Sequence, residues 1–469
     1  MMSLRQQLTA RLAEALPEGR NGRLVVGVAS GVLTKGIAFF LTLVTVPMTL
    51  HYLGRERYGI WVTMSSMLAW LSMVDLGIAN GLTPALSAAF GGKREDLARE
   101  YVATAFWGLT ATAVVAGVVI AIFWSWIDWS RAFNFRGQNL QRDVSMAMAL
   151  AVAIFLANLP FSINQRIFLS YQQGLTANLW QLLTSLAGVI GIYFVTWTQG
   201  GLVYLVLGYS GSQLLVSFAC AVWLFGRSKP QLRPSVRPNV AEAKHVLSLG
   251  GMFFINQVAT LVIFQKDNML ITHYLGPAQA TPYSVTWQLF LYLNVINVLV
   301  APYLGPSIGE AFALGDLHWL RRVFGRHMLI SCCVSLPSVV LLSWFHRPIL
   351  AAWVGPAVMP TSAIVFWIAV WTVIFSVQWP IISLLNNTGR LRVFTTLYAL
   401  AALLNVPLSV LLIKSHGAYG GAMASAITTG VFVLLPSLRE ALILLAIPPR
   451  LSYLQVSMTS RWKWVKRDF

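Results

Sequence analysis

Apolar runs long enough to cross a lipid bilayer recur twelve times along this chain, and that pattern leaves few folds open. A spanning helix needs about 20 predominantly apolar residues. Such runs lie near 24–50, 58–82, 100–127, 144–165, 176–197, 201–225, 246–274, 280–303, 327–345, 362–386, 393–413 and 418–437. At membrane depth every backbone N–H and C=O must be paired within the protein, so only helices and closed barrels qualify. These runs are far longer than barrel strands of about 10 residues. The expected fold is an all-α integral membrane protein with twelve transmembrane helices. Composition agrees, with 57% hydrophobic and only 10% charged residues, against about 25% charged in soluble domains. The 18 Trp and 25 Phe exclude a disordered chain.

The formal net charge of +18 would suggest nucleic acid in a soluble protein. Here the basic residues report topology instead. If the N-terminus, the even-numbered loops and the C-terminus face the cytoplasm, they hold 24 Lys and Arg, against 7 in the odd loops. The positive-inside rule then puts both termini in the cytoplasm. The first residues lack the apolar core of a secretory signal, because Arg5, Arg11, Glu14, Glu18 and Arg20 interrupt it. Leu4, Leu8, Leu12 and Leu16 instead predict an amphipathic helix. A second is expected where Leu451, Leu454, Met458, Trp462 and Val465 share a segment with Arg461, Lys463, Lys466 and Arg467. The second composition suits a helix on an anionic inner leaflet. A plain positive-inside anchor is the leading reading for both segments, and membrane lipids are the expected partner.

The chain carries an internal repeat. His51-Tyr52-Leu53-Gly54 recurs 222 residues later as His273-Tyr274-Leu275-Gly276. On the same diagonal Leu82, Pro84, Ala89, Phe90 and Arg99 fall on Leu304, Pro306, Ala311, Phe312 and Arg321. Gly174 and the Gly200-Gly201 turn pair with Gly389 and Gly417 at a slightly shorter offset. Two pseudo-symmetric six-helix lobes follow. Residues 1–225 form the N-terminal lobe with its amphipathic segment, and 226–245 a basic cytoplasmic linker. Residues 246–437 form the C-terminal lobe, and 438–469 a basic amphipathic tail. Repeats of this kind characterise transporters that alternate access around a path between the halves.

Ionisable groups inside spans cost about 2.5–3.5 kcal/mol each by insertion scales and so mark candidate sites. Lys35 and Asp75 lie in segments 1 and 2 at depths that predict a contact; a purely structural ion pair is the competing reading. Their counterparts under the repeat are Gln257 and Asn297, another polar pair. Lys266 and Asp267 are neighbours about 100° apart on segment 7, expected to face different directions. Asn256 falls on the same helical face as Asp267 and favours Asp267 as the inward member. Arg166 follows segment 4 and reads mainly as a snorkelling interfacial residue. Asn80, Trp70 and Asn164 are candidates for sugar contact, with packing as the alternative. Gly27, Gly31 and Gly36, then Gly188 and Gly191, predict close helix approaches. Trp124, Trp126, Trp129, Trp197 and Trp344 are expected interfacial anchors.

No phosphate-binding loop of the Gly-x-x-x-x-Gly-Lys-Ser/Thr type occurs in the sequence. The seven histidines show no metal-ligand spacing. Cys220, Cys332 and Cys333 lie in apolar segments and suggest no disulfide framework. The outer loops carry no cluster of the kind that acid/base or metal catalysis requires. The expectation is therefore a non-enzymatic chain without cofactor or metal.

Leu53-Gly54-Arg55-Glu56-Arg57-Tyr58-Gly59-Ile60-Trp61, Ser65 and Asp75-Leu76-Gly77-Ile78 resemble the opening of polysaccharide flippases of the Wzx type. Asp267-Asn268-Met269-Leu270-Ile271 before Leu275-Gly276 resembles the family's second-half counterpart. The superfamily also holds multidrug exporters and the peptidoglycan lipid flippase. The resemblance implies export of an isoprenoid diphosphate-linked oligosaccharide across the bacterial inner membrane. Lys35, with Lys266 or Arg166, would attract the diphosphate, and Asp75 or Asp267 would serve a coupling proton or sodium ion. Polysaccharide polymerase machinery is a possible partner. The competing functions are a cation-coupled drug exporter, a membrane glycan polymerase or ligase, and a non-transporting scaffold.

Overall fold

The computed structural model describes residues 20–135, 138–234 and 240–446. The expected amphipathic segments at 4–16 and 451–467 lie outside the described residues. So does the part of the basic linker at 235–239. No strand occurs among the described residues, as the argument from backbone pairing requires.

Twelve long helical stretches carry the described chain. The first helix, α1 (20–53), runs into α2 (55–91) with a sharp bend at Gly54, whose φ of 72° and ψ of 173° lie outside the helical region. There follow α3 (Glu95–Trp126), α4 (Gln138–Ser170), α5 (Gly174–Thr198) and α6 (Gly201–Ser228). The second series is α7 (Val240–Leu275), α8 (277–314), α9 (Leu317–Trp344), α10 (Ser362–Asn387), α11 (Leu391–His416) and α12 (Tyr419–Ala446). Helices α2 and α8 run on to Gly91 and Leu314, well past the expected ends at 82 and 303. The chain belongs to a multi-pass membrane protein.

The repeat is visible in the backbone. Gly54 and Gly276, 222 residues apart, both take positive φ, 72° and 88°, and each turns the chain between two helices. Lys93 and Gly315 repeat the offset with φ of 55° and 75°. Gly201 and Gly417 do so at the shorter offset, at 80° and 84°. Both α2 and α8 are interrupted, the first by a 3-10 turn at Ser72–Asp75 and the second at Tyr292–Asn294. The matching four-residue sequence is thus the surface sign of a matching chain path.

The helices gather into two compact units, each with its own interior. The first takes the described residues up to Leu261, with Ile271–Thr281 and Ala351–Val358; the second takes Val262–Leu270, Pro282–Leu350 and the described residues from Met359. In the first, Leu82, Leu86, Val102, Leu109, Ile163 and Phe168 are fully enclosed. In the second, Ile308, Leu320, Ile381, Leu385 and Ala441 form a core. Val115, Ile122, Leu215, Leu403 and Leu411 are exposed apolar side chains, as expected of surfaces that face lipid.

Small residues set the closest approach. Gly208 lies against Gly191 so tightly that its carbonyl occupies the space a Cβ on Gly191 would need. Gly36 departs from the expected close approach, because nothing lies within 4 Å of where its Cβ would stand. Trp126, Trp197 and Trp344 are 78%, 75% and 79% exposed, as anchors should be. Trp129 differs from the expectation. It is buried in a short helix, Trp129–Ala132, with its ring 5.0 Å from Trp124 and 6.1 Å from Phe133.

Candidate functional site

A polar cavity of about 370 Å³ lies within the first unit, and its existence follows from two broken helices. In α2 the 3-10 turn ends at Asp75, after which Leu76 and Gly77 adopt left-handed conformations, φ 52° and 79°. Glycine takes such a conformation at little cost. The helix restarts at Ile78, and Asp75 Oδ1 accepts the Ala79 N–H at 2.9 Å. The carboxylate therefore satisfies one of the orphan donors of a new helix N-terminus, where the helix dipole also favours negative charge. The Asp-Leu-Gly sequence is a device for breaking α2 at depth and turning a carboxylate into the cavity.

In α4 the break is a 3-10 turn at Leu159–Ser162 that contains Pro160, which has no N–H to continue the ladder. The helix resumes as Ile163–Ser170. This places Asn158, Asn164, Gln165 and Arg166 on the cavity wall with Gln181 of α5 and Gln213 of α6, and Trp180 alongside. Asn164 Nδ2 donates to the Ser217 carbonyl at 3.0 Å, which fixes the amide plane. Arg166 and Asp75 line the same space and attract each other. The wall thus combines one guanidinium, one carboxylate, several amides and an indole.

Several expectations from the sequence change here. Lys35 does not pair with Asp75: it is exposed on α1, while the carboxylate is held by the Ala79 N–H and shares the cavity with Arg166. Arg166 is not a simple snorkelling residue beyond a span, because α4 continues through it to Ser170 and it lines the cavity. Gln257 of α7 joins the first unit: its Oε1 accepts from Asn80 Nδ2 at 3.3 Å, and its Nε2 donates to the carbonyl and Oγ of Ser72, both at 3.1 Å. Asn256 is half-buried on the same helix, and Asn297 is buried in the second unit.

Helical phase would point Lys266 and Asp267 apart, yet Lys266 Nζ lies 2.7 Å from Asp267 Oδ1, with both side chains almost fully enclosed in the second unit. Phase separates the two Cβ atoms by about 100°, but the four-carbon lysine stem is long enough to curl back. Tyr283 donates to Asp267 Oδ2 at 2.7 Å, and Lys266 Nζ donates to Ser425 Oγ at 3.2 Å. Gly421 leaves room for the carboxylate, since a Cβ there would come within 2.7 Å of Asp267 Oδ1. The polar stripe through Asn256 does not govern Asp267, whose partners lie on α8 and on Lys266 itself.

Asn158, Gln181, Gln213 and Trp180 join the site without having stood out in the sequence. Their signal was present, as amides within apolar runs, but ionisable groups are the ones whose burial cost singles them out. The Tyr58-Gly59 pair serves packing: Tyr58 is 2% exposed, and the Pro277 carbonyl occupies the space of a Gly59 Cβ. Among the described residues no group of three or more His, Cys, Asp or Glu is arranged to hold a metal.

Comparison with known proteins agrees with this architecture. The family described as "Polysaccharide biosynthesis protein" matches residues 24–311, and the MatE family matches residues 253–411. A protein of Salmonella typhimurium named for O-antigen transport is 21% identical over 326 residues, covering 68% of this chain and 73% of that protein. A counterpart from Salmonella typhi is 23% identical, covering 64% and 68%. Among solved structures, the inward-facing form of a multidrug resistance MATE family transporter aligns with a TM-score of 0.70 at 15% identity, over 86% of this chain and 95% of that one. The lipid II flippase MurJ in its inward closed form aligns at 0.69 and 12% identity, over 94% of each chain. These structures share the fold. With more than half of its length matched, this chain is a member of the polysaccharide biosynthesis protein family.

Proposed function

We propose that the chain is a flippase that moves an isoprenoid diphosphate-linked oligosaccharide, a polysaccharide repeat unit, across the bacterial inner membrane by alternating access. The observation that carries this reading is the cavity of the first unit. Arg166 supplies a cation for a diphosphate, and Arg is suited to phosphate by its planar fork of donors. Asn158, Asn164, Gln165, Gln181 and Gln213 supply paired donors and acceptors, which match sugar hydroxyls. Trp180 adds an apolar face. Relatives named for O-antigen transport support the same substrate class.

Lys35, exposed on α1, is assigned to the same anionic head. Asn80, Asn256, Gln257 and Asn297 are assigned to the polar path. A coupling proton or sodium ion would act at Asp75, which faces the cavity, or at Asp267, which Lys266 and Tyr283 enclose. Lys266 neutralises Asp267 in that arrangement. Both termini are assigned to the cytoplasm on the distribution of basic residues, and polymerase machinery to the product side. The chain performs a transport step without making or breaking a covalent bond.

The test is translocation of a labelled isoprenoid diphosphate oligosaccharide in vesicles reconstituted with the full chain. Movement of label to the opposite leaflet is the expected result. No movement, together with efflux of cationic dyes, would establish the drug exporter instead.

A further inference from the structure

A second cavity, of about 390 Å³, lies within the first unit and is separate from the one assigned to transport. Its charged wall is Lys93, Arg94, Glu95 and Lys229, with Tyr171 and Gln173 beside them. Two long helices begin at this wall. Helix α3 starts at Glu95 behind Arg94, and α5 starts at Gly174 behind Gln173; neither preceding residue caps its helix with a side-chain hydrogen bond. Each helix start presents orphan N–H groups and the positive end of a dipole.

Lys229 is the informative residue. It is only 8% exposed, yet it lines the cavity, and its ammonium stands 3.8 Å from the centroid of the Tyr171 ring. Burial lowers its pKa, and the nearby Glu95 charge works the other way. Glu95 on the same wall and the Tyr171 ring offset part of the cost of holding this lysine out of water, and an anion in the cavity would offset more. A solvated surface charge would not be buried in this manner. Lys93, like Leu76, is a non-glycine residue at positive φ, and it holds 55° at the position where the second half has Gly315. A bulky residue at positive φ carries strain that glycine would relieve.

We infer that this cavity binds the phosphate group of an anionic lipid, with Lys229, Lys93 and Arg94 supplying the charge and the two helix starts supplying N–H donors. Three cations against the single carboxylate of Glu95 leave the wall positive. Ala89, Phe90 and Ala98 form an apolar flank, and Phe90 is 46% exposed, which suits a head group that continues into a hydrocarbon chain. The phosphate has two possible carriers, a phospholipid head group or a lipid-linked diphosphate.

The experiment is binding of fluorescent phosphatidylglycerol to the full chain in neutral detergent, with phosphatidylcholine of the same label as reference. Phosphatidylglycerol is expected to bind more tightly. Lys229→Met, and separately Lys93→Gln with Arg94→Gln, should each weaken it by about tenfold or more, the scale of one lost charged hydrogen bond. Lys93 and Arg94 are exposed, so their variant tests the site even where Lys229→Met fails to fold. Arg227→Gln, exposed and outside the cavity wall, controls for bulk charge and should bind as the unaltered chain does. Displacement by inorganic pyrophosphate assigns the site to a diphosphate carrier, and its failure assigns the site to the phospholipid head group. Unchanged phosphatidylglycerol binding in the Lys93/Arg94 variant overturns the inference. Neither result depends on transport, so this proposal and the flippase reading fail separately.

Discussion

Lys266 Nζ and Asp267 Oδ1, on consecutive residues of α7, are 2.7 Å apart inside the second unit. Tyr283 and Ser425 complete the set, so the two charges are satisfied almost without water. Such a pair stands in a close balance, because desolvating two ions costs about as much as their attraction returns.

Removing one partner should therefore cost more than removing both. Lys266→Met leaves a buried carboxylate and is expected to destabilise the protein by about 3–5 kcal/mol. Lys266→Met combined with Asp267→Asn should recover most of that loss. Thermal unfolding in detergent, followed by tryptophan fluorescence, measures the difference. A double variant as unstable as the single one would mean that the pair is net stabilising.

Asp75 accepts the Ala79 N–H and is one of the two carboxylates proposed to couple an ion, and two substitutions separate the cap from the proposed coupling. Asp75→Asn retains an oxygen that can accept the Ala79 N–H, while Asp75→Ala loses it. The alanine variant should be less stable by about 1 kcal/mol, the ordinary value of a helix cap. The asparagine variant should fold normally but lose ion-coupled translocation. Arg166→Gln should also lower translocation, by about tenfold or more if it carries a charged hydrogen bond to the diphosphate. Unchanged transport in Arg166→Gln would remove it from the site.

The twelve apolar runs and the His-Tyr-Leu-Gly repeat carried most of the fold, because span length and backbone pairing leave a membrane chain little choice. Side-chain pairing was far less legible. Depth counted along two helices suggested Lys35 with Asp75, but depth says nothing of the direction a side chain takes around its helix. The break after Asp75 turned its carboxylate into the cavity that Arg166 lines. Phase alone separated Lys266 from Asp267, where the reach of the lysine stem decided the contact. The cavity itself was illegible, since it depends on Pro160 and Gly77 breaking two helices beside the same space.

Asp128 gives a pH-dependent contact outside the spans. Its Oδ1 accepts from Ser130 Oγ at 2.6 Å and from the Ser130 and Arg131 N–H groups at 3.1 and 3.3 Å. The Ser130 hydroxyl, first, and then these N–H groups hold its pKa below the ordinary aspartate value of 3.8. A carboxyl whose folded pKa is depressed stabilises the fold above its unfolded pKa, and that help is lost as pH falls through the folded value. Hydrogen exchange at Ser130 and Arg131, compared with Asp128→Ala at each pH, should show protection near neutrality. The two proteins should converge only once the pH has fallen below 3.8. Equal exchange at neutral pH would show that the cap does not hold the short helix.

Glycine is demanded at position 191 and optional at position 36. Helices α5 and α6 meet backbone to backbone at Gly191 and Gly208, so the Cβ of Gly191→Ala would enter the Gly208 carbonyl. Two rigid helices cannot relax around that overlap without losing the surrounding contacts, and overpacking of this kind costs about 1–3 kcal/mol. Gly208→Ala meets Gly191 and Val195 from the other side at 2.7 Å and should behave alike. Gly36→Ala adds its methyl to open space and should leave stability unchanged or slightly raised through helix propensity. Thermal unfolding of the three variants in one detergent decides the matter. A Gly191→Ala protein as stable as Gly36→Ala would show that α5 and α6 do not need their close approach.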